Sequence, residues 1–164
     1  MNDSQIQIQS LNLRSLDTLA AAMVRELPSP LVIGLVGTLG AGKTTFVQAL
    51  ARAAGIDAVD VTSPTFTLLQ THRGAIVIHH LDAYRVADDE EFLQLGVDEL
   101  FADEAWTIIE WGDCVAEVLP AETLWIELVQ GADQDTRDVS FRSTSGTWDA
   151  AIQRIQAELG AASR

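Results

Sequence analysis

The sequence predicts an α/β protein: a three-layer α/β/α sandwich around a mixed, mostly parallel central sheet. Three observations carry this. Short apolar runs of strand character alternate with amphipathic helical segments along the chain. Residues 31–36, LVIGLV, are continuously apolar, as a central parallel strand covered on both faces must be. That run passes directly into Gly37-Thr38-Leu39-Gly40-Ala41-Gly42-Lys43-Thr44, the pattern G-x-x-x-x-G-K-T, and a helical segment follows it. Strand, glycine-rich loop and helix in that order make the phosphate-binding P-loop. At 164 residues the chain can bury one full core, so a single domain over residues 1–164 is expected.

The elements follow in order. Residues 5–9 alternate polar and apolar, as a half-buried strand does. A helix is expected from a cap at Ser15 or Asp17 to about Leu27, stopped by Pro28 and Pro30. The helix after the P-loop runs from Thr44 to about Ala54, and Gly55 ends it. Phe66 to His72 and Ala75 to Leu81 are two β-like runs around Arg73-Gly74, so a hairpin is expected and the sheet is not purely parallel. Asp88 is the expected N-cap of an acidic helix reaching about Leu95, ended by Gly96, with a short turn over Val97–Phe101. Ala105 to Glu110 is a further apolar strand. A short helix spans Asp113 to Leu119 and stops at Pro120. Thr123–Gln130 and Val139–Arg142 are expected as an antiparallel pair, and Trp148–Leu159 as a closing amphipathic helix.

The chemistry centres on the P-loop. Its glycines let the chain fold tightly enough to aim successive N–H groups at phosphate oxygens, and the next helix adds its positive N-terminal end. Gly37 through Thr45 are therefore the expected nucleotide cradle, with Lys43 reaching the terminal phosphates. Thr44 offers a hydroxyl to Mg²⁺. Lys43 is the only lysine of the chain. In an open α/β sheet, ligands sit at the carboxyl ends of the strands. Asp82 and Glu110 both end apolar strands, so topology brings them toward the P-loop. Asp82 fits the strand-end aspartate that helps hold the metal in P-loop enzymes. Glu110 is either close to the metal or a residue that orients the attacking water. Thr62, Ser63, Thr65 and Thr67 surround Pro64 where nucleotide switches place a hydroxyl near the γ-phosphate, although an ordinary Ser/Thr turn reads the same. Trp111 marks either a stacking surface or the core. Arg85 and Arg137 are the arginines considered for phosphate charge, and a salt bridge is the alternative role for each. His72, His79 and His80 show no metal-ligand spacing and read as strand histidines.

Composition excludes several classes. A formal net charge of −14 argues against direct binding of DNA or RNA, so any nucleic acid is expected to be reached through a partner. The single cysteine, Cys114, excludes an intrachain disulfide. No apolar run approaches the ~20 residues of a membrane span, and the N-terminal residues lack the order of a signal peptide. A cytoplasmic protein with no membrane partner is expected. A guanine-specific Asn-Lys-x-Asp element needs a second lysine, which the chain lacks, so ATP is the expected nucleotide.

Several motifs together carry a resemblance. GTLGAGKTT (37–45), SPTFTL (63–68), HLDAYR (80–85), LGVDELF (95–101), IIEW (108–111) and Leu119-Pro120 resemble, in order and spacing, the TsaE (YjeE) family of small bacterial ATPases of tRNA threonylcarbamoyladenosine (t6A) synthesis. The resemblance covers residues 35–120. It implies ATP and Mg²⁺ as cofactors, and a TsaB–TsaD type complex as partner. It implies Thr44 and Glu110 as Mg²⁺ ligands, Asp82 as an essential acid near the metal, and Thr65 as a switch-type residue. With Lys43, these make Asp82, Glu110 and Thr65 the candidate catalytic set, and Thr44, Glu110 and Asp82 the candidate metal set. One departure is Thr38, where the family usually has aspartate. A P-loop kinase of small molecules and a non-hydrolytic, nucleotide-dependent assembly factor are the competing functions.

Overall fold

The computed structural model describes residues 4–64 and 68–162. Seven strands form one sheet in the order β1-β7-β6-β2-β5-β4-β3. These are β1 (Ser4–Leu11), β2 (Leu31–Val36), β3 (Leu69–Arg73), β4 (Val77–Asp82), β5 (Trp106–Glu110), β6 (Leu124–Gln130) and β7 (Arg137–Ser143). The centre, β6-β2-β5-β4, is parallel throughout. Antiparallel pairing is confined to the margins, where β3 returns from β4 and β7 and β1 flank β6. The sheet is therefore mixed around a parallel middle, as the apolar runs imply.

Helices cover both faces. The first layer holds α1 (Leu13–Glu26), α2 (Lys43–Ala53) and a C-terminal helix, α5 (Asp149–Ala162). Leu19, Met23, Phe46, Leu50 and Ile155 pack there against Ile33, Leu35, Ile108 and Phe141 of the sheet. The opposite face is thinner. It carries α3 (Asp89–Leu93), α4 (Val97–Ala102) and a 3-10 segment over Gly112–Val118. Phe92, Val97 and Val115 meet Val32, Leu81 and Ile109 there. The alternation Val32/Ile33 and Ile108/Ile109 assigns neighbouring residues to opposite cores, as the strand period of two dictates.

The main difference from sequence expectation is the start of α1. Asn12, not Ser15 or Asp17, is the N-cap, and its side chain accepts from the Ser15 N–H while the Ser15 hydroxyl accepts from the Asn12 N–H. Ser15 is the third helical residue of this reciprocal pair, which is why it resembled a cap. Asp17 instead accepts a 2.6 Å hydrogen bond from Arg52 and links α1 to α2. The segment after β5 is 3-10 rather than α-helical, with a break at Val115. The closing helix also runs past Leu159 to Ala162.

The β3–β4 turn docks on the end of α2: the Ala75 N–H donates to the Ala54 carbonyl at 2.7 Å. A Cβ at Gly74 would lie 2.2 Å from that same carbonyl oxygen and 2.8 Å from Ile56 Cγ1. Backbone cannot yield as a side-chain tip can. Gly74→Ala is expected to cost about 1–3 kcal/mol of unfolding free energy, read by urea denaturation. An unchanged midpoint would show that the turn is not seated on α2.

Candidate functional site

The P-loop emerges from the carboxyl end of β2, the central strand. Gly40 (φ 81°) and Gly42 (φ 101°) both occupy the left-handed region, which a side chain would strain. Gly42 is also the N-cap of α2, so the first free amides of an eleven-residue helix face the same cleft as the loop. Leu39 at the tip is 83% exposed, whereas Ala41 is buried. The loop is closed by a bond from the Ala41 N–H to the Thr38 carbonyl.

Parallel register then decides the acidic side. Asp82 of β4 lies directly opposite Glu110 of β5. Both strands end there, so the two carboxylates stand together at the carboxyl edge of the sheet, 3% exposed each. Glu110 reaches the P-loop: the Thr44 hydroxyl is 3.0 and 3.1 Å from its two oxygens. The Asp82 carboxylate accepts from the Tyr84 N–H at 2.8 Å, and the Ser63 hydroxyl approaches its other oxygen at 3.4 Å. Lys43 is folded over the loop, donating to the Gly37 and Thr38 carbonyls at 2.7 and 3.0 Å. Its ammonium is 3.9 Å from the centre of the Trp111 ring. Burial pulls the Lys43 ammonium below its ordinary value, and the charges of Glu110, Asp82 and Asp113 oppose that pull.

Trp111 owes its position to backbone strain. It adopts φ 59° and ψ 37°, a left-handed conformation uncommon for a bulky residue. That turn brings the ring back over Lys43 and against Tyr84, whose ring centre is 4.8 Å away. The cleft so formed has a volume of about 490 Å³ and also includes Leu39, Thr45 and Arg137. A second groove of about 470 Å³ adjoins it, sharing Gly42, Thr45 and Arg137, and continues along Leu11, Leu13, Arg14 and Leu128. The second groove is the more apolar of the two. A polar, helix-capped cleft continuing into an apolar groove suits a polyphosphate joined to a flat heterocycle.

Arg137 bridges these two spaces. Its Nε donates to the Ala41 carbonyl, and one terminal nitrogen donates to Gln134 and Thr136, each at 2.8 Å. It thus ties the β6–β7 loop to the P-loop crown. Arg137→Ala is expected to weaken any nucleotide binding in the cleft by about tenfold, through loss of the charge-assisted hydrogen bond that braces the Ala41 carbonyl, in a fluorescent-nucleotide titration. Lysine is not expected to rescue it, since one ammonium cannot reproduce the fork. Equal affinity in wild type and Arg137→Ala would sink this role.

Lys43, Thr44, Thr45, Ser63, Asp82, Glu110, Trp111 and Arg137 are therefore brought together, Thr62 and Arg85 are not among the residues lining the cleft, and Thr65 and Thr67 lie outside the described residues. Trp111, read as a stacking surface or the core, is a cover for Lys43. Two participants were not read as such in the sequence. Tyr84 supplies a wall and a backbone donor. His80, read as a strand histidine, is fully buried with Nε2 2.5 Å from Glu110 Oε2. The available signal was the period of two in HLDAYR, which puts His80 and Asp82 on one face.

No three His, Cys, Asp or Glu side chains among the described residues converge as a protein-only metal cage. Thr44, Glu110 and Asp82 are hard oxygen donors on one wall of the cleft, which fits Mg²⁺ completed by phosphate and water rather than a soft metal. Charge supports the same fit, because a polyphosphate beside two buried carboxylates needs a cation between them.

Residues 11–139 match the family described as "Threonylcarbamoyl adenosine biosynthesis protein TsaE". The tRNA threonylcarbamoyladenosine biosynthesis protein TsaE of Bacillus subtilis is 35% identical over 125 residues, 76% of this chain and 77% of that protein. The Treponema pallidum protein of the same name is 44% identical over 102 residues, 62% of this chain and 75% of its own length. The crystal structure of Bacillus subtilis YdiB superposes with a TM-score of 0.78 at 26% identity, covering 96% of this chain and 98% of that one. The fold is thus α/β with a mixed seven-stranded sheet, of the P-loop NTPase type.

Proposed function

This chain belongs to the TsaE family, and from that premise we propose that it is a Mg²⁺-dependent, ATP-binding and ATP-hydrolysing subunit of tRNA t6A synthesis, acting on a TsaB–TsaD type complex. The observation that carries the reading is the junction of Thr44 with Glu110, in register with Asp82, at the head of the P-loop. Thr44 and Glu110 would hold Mg²⁺ with the phosphates, and Asp82 would stand beside them. Mg²⁺, when bound, supplies charge that offsets the negative charge of the transferring phosphoryl group. The chain's own contribution is placement. The loop amides and Lys43 bind the phosphates, Trp111 and Tyr84 wall the cleft, and the carboxylates receive a proton or orient water.

Net charge supports the partner assignment. At −14 the surface repels a phosphate backbone, so tRNA is met through other subunits, in the cytoplasm where tRNA is modified. Reconstitution tests the whole proposal: tRNA, threonine, bicarbonate, ATP, Mg²⁺ and the TsaB–TsaD proteins, with and without this chain. Sustained t6A formation, read by mass spectrometry, is expected only when the chain is present, with release of ADP and phosphate. Phosphate transfer to a metabolite instead would favour a kinase. Full t6A formation by an ATP-binding but non-hydrolysing variant would favour an assembly factor.

A further inference from the structure

His80 is a buried polar side chain beside the cleft that the reading above does not use. Its ring is fully buried in β4, two residues before Asp82 and therefore on the same sheet face. Nε2 is 2.5 Å from Glu110 Oε2. Nδ1 is buried without a hydrogen-bond partner. An ionised carboxylate only accepts, so the proton is assigned to Nε2 and the bare lone pair to Nδ1. A buried imidazole with one nitrogen unsatisfied is a poor choice for packing alone, because an apolar residue of similar volume avoids that desolvation cost. The contact with Glu110 is what distinguishes it.

Glu110 is held from two sides. Thr44 of α2 donates from the P-loop side, and His80 donates from beneath, within the sheet. A carboxylate with one contact can rotate about its last bond, whereas two contacts from different elements fix its plane. We propose that His80 is a positioning residue for Glu110: its Nε2–H sets the carboxylate plane that Thr44 and the cleft require. This rests on Glu110 acting as a metal-side carboxylate in the proposed function.

The test separates donor position from ring volume. The side-chain amide nitrogen of His80→Gln reaches the place of ring Nε2, whereas that of His80→Asn falls near ring Nδ1, away from Glu110. Two readouts are taken on the purified full chain: Mn²⁺ affinity in the presence of excess ADP, by electron paramagnetic resonance, and kcat and KM for ATP with the partner proteins. His80→Gln is expected to stay within about threefold of wild type in both. His80→Asn and His80→Leu are expected to lose about 10- to 100-fold in Mn²⁺ affinity and in kcat, with little change in KM. Equal Mn²⁺ affinities for the glutamine and asparagine variants would overturn the proposal. So would loss of the circular-dichroism spectrum in both amide variants, which would make His80 a core residue only. A wild type that binds Mn²⁺–ADP but never hydrolyses ATP would defeat the ATPase reading alone, since the order of the Mn²⁺ affinities still decides the role of His80. Failure of wild type to bind Mn²⁺–ADP would overturn both.

Discussion

Lys43→Ala is expected to lower ATP affinity by about 100-fold and to remove measurable hydrolysis. Its ammonium is the only lysine charge in the protein and sits between the P-loop carbonyls and the Trp111 ring. Phosphate oxygens are better partners for it than neutral carbonyls, because charge-assisted bonds are about twice as strong. Each such bond contributes about 1.5–3 kcal/mol, so losing two corresponds to at least about 100-fold in affinity. The truncation has a second effect. It removes a cation that the charges of Glu110, Asp82 and Asp113 favour, so part of the electrostatic balance around the two buried carboxylates is lost. Arginine is not expected to restore function, since its longer, planar guanidinium cannot place one compact charge where the Lys43 ammonium meets the Gly37 and Thr38 carbonyls. The measurement is a fluorescent-nucleotide titration alongside ADP release, with circular dichroism confirming the fold. Wild-type affinity in Lys43→Ala would mean that nucleotide does not use this loop.

Glu110→Gln is expected to separate binding from turnover. The amide is isosteric: its oxygen can accept from His80, while its NH₂ replaces the oxygen facing Thr44 and donates to that hydroxyl instead of accepting from it. The negative charge is removed and one acceptor becomes a donor. ATP affinity should stay within about threefold, because loop amides and Lys43 dominate it. The rate of hydrolysis should fall by about 10² to 10⁴, the range for loss of a positioned acid–base group or a metal carboxylate. Chelation of divalent cations should lower wild-type turnover to a similar floor, and chelation should add little to Glu110→Gln. Wild-type turnover in the variant would exclude Glu110 from both metal binding and water orientation. A parallel loss of ATP affinity would instead make Glu110 a binding residue.

The two effects differ because the two residues were legible in different ways. Lys43 lies inside a contiguous pattern whose chemistry is local: glycine torsions, consecutive amides and a helix start. Nothing distant is needed to read it. Apart from the motif resemblance, Asp82 and Glu110 were legible as strand ends, and the fold class supplied the inference that strand ends converge. Their shared level depends on the β4–β5 register, which moves each side chain to the other face if it slips by one residue. His80 shows the limit more sharply. A strand histidine is equally compatible with a solvent face and a core, and only the placement of β4 beside β5 puts its Nε2 against Glu110. Trp111 was ambiguous for another reason: the left-handed backbone that turns its ring over Lys43 and against Tyr84 is one a bulky residue rarely adopts, so its local sequence does not announce it.

The cap of α1 makes the same point in a short stretch. Asn12 and Ser15 are both good caps, and each donates to or accepts from the other once the helix forms. Local chemistry allowed either start. The end of β1 at Leu11 selected Asn12. By itself the sequence determined the nucleotide-type loop, the alternation of strands and helices, the parallel centre, and the two acids at strand ends. Those rest on periodicity and on torsional freedom, which act over a few residues. Tertiary structure alone decided how Glu110 meets Thr44, which histidine holds that acid, and how Trp111 comes to cover Lys43. Those depend on register and on helix placement, which are set by burial of the two cores flanking the sheet.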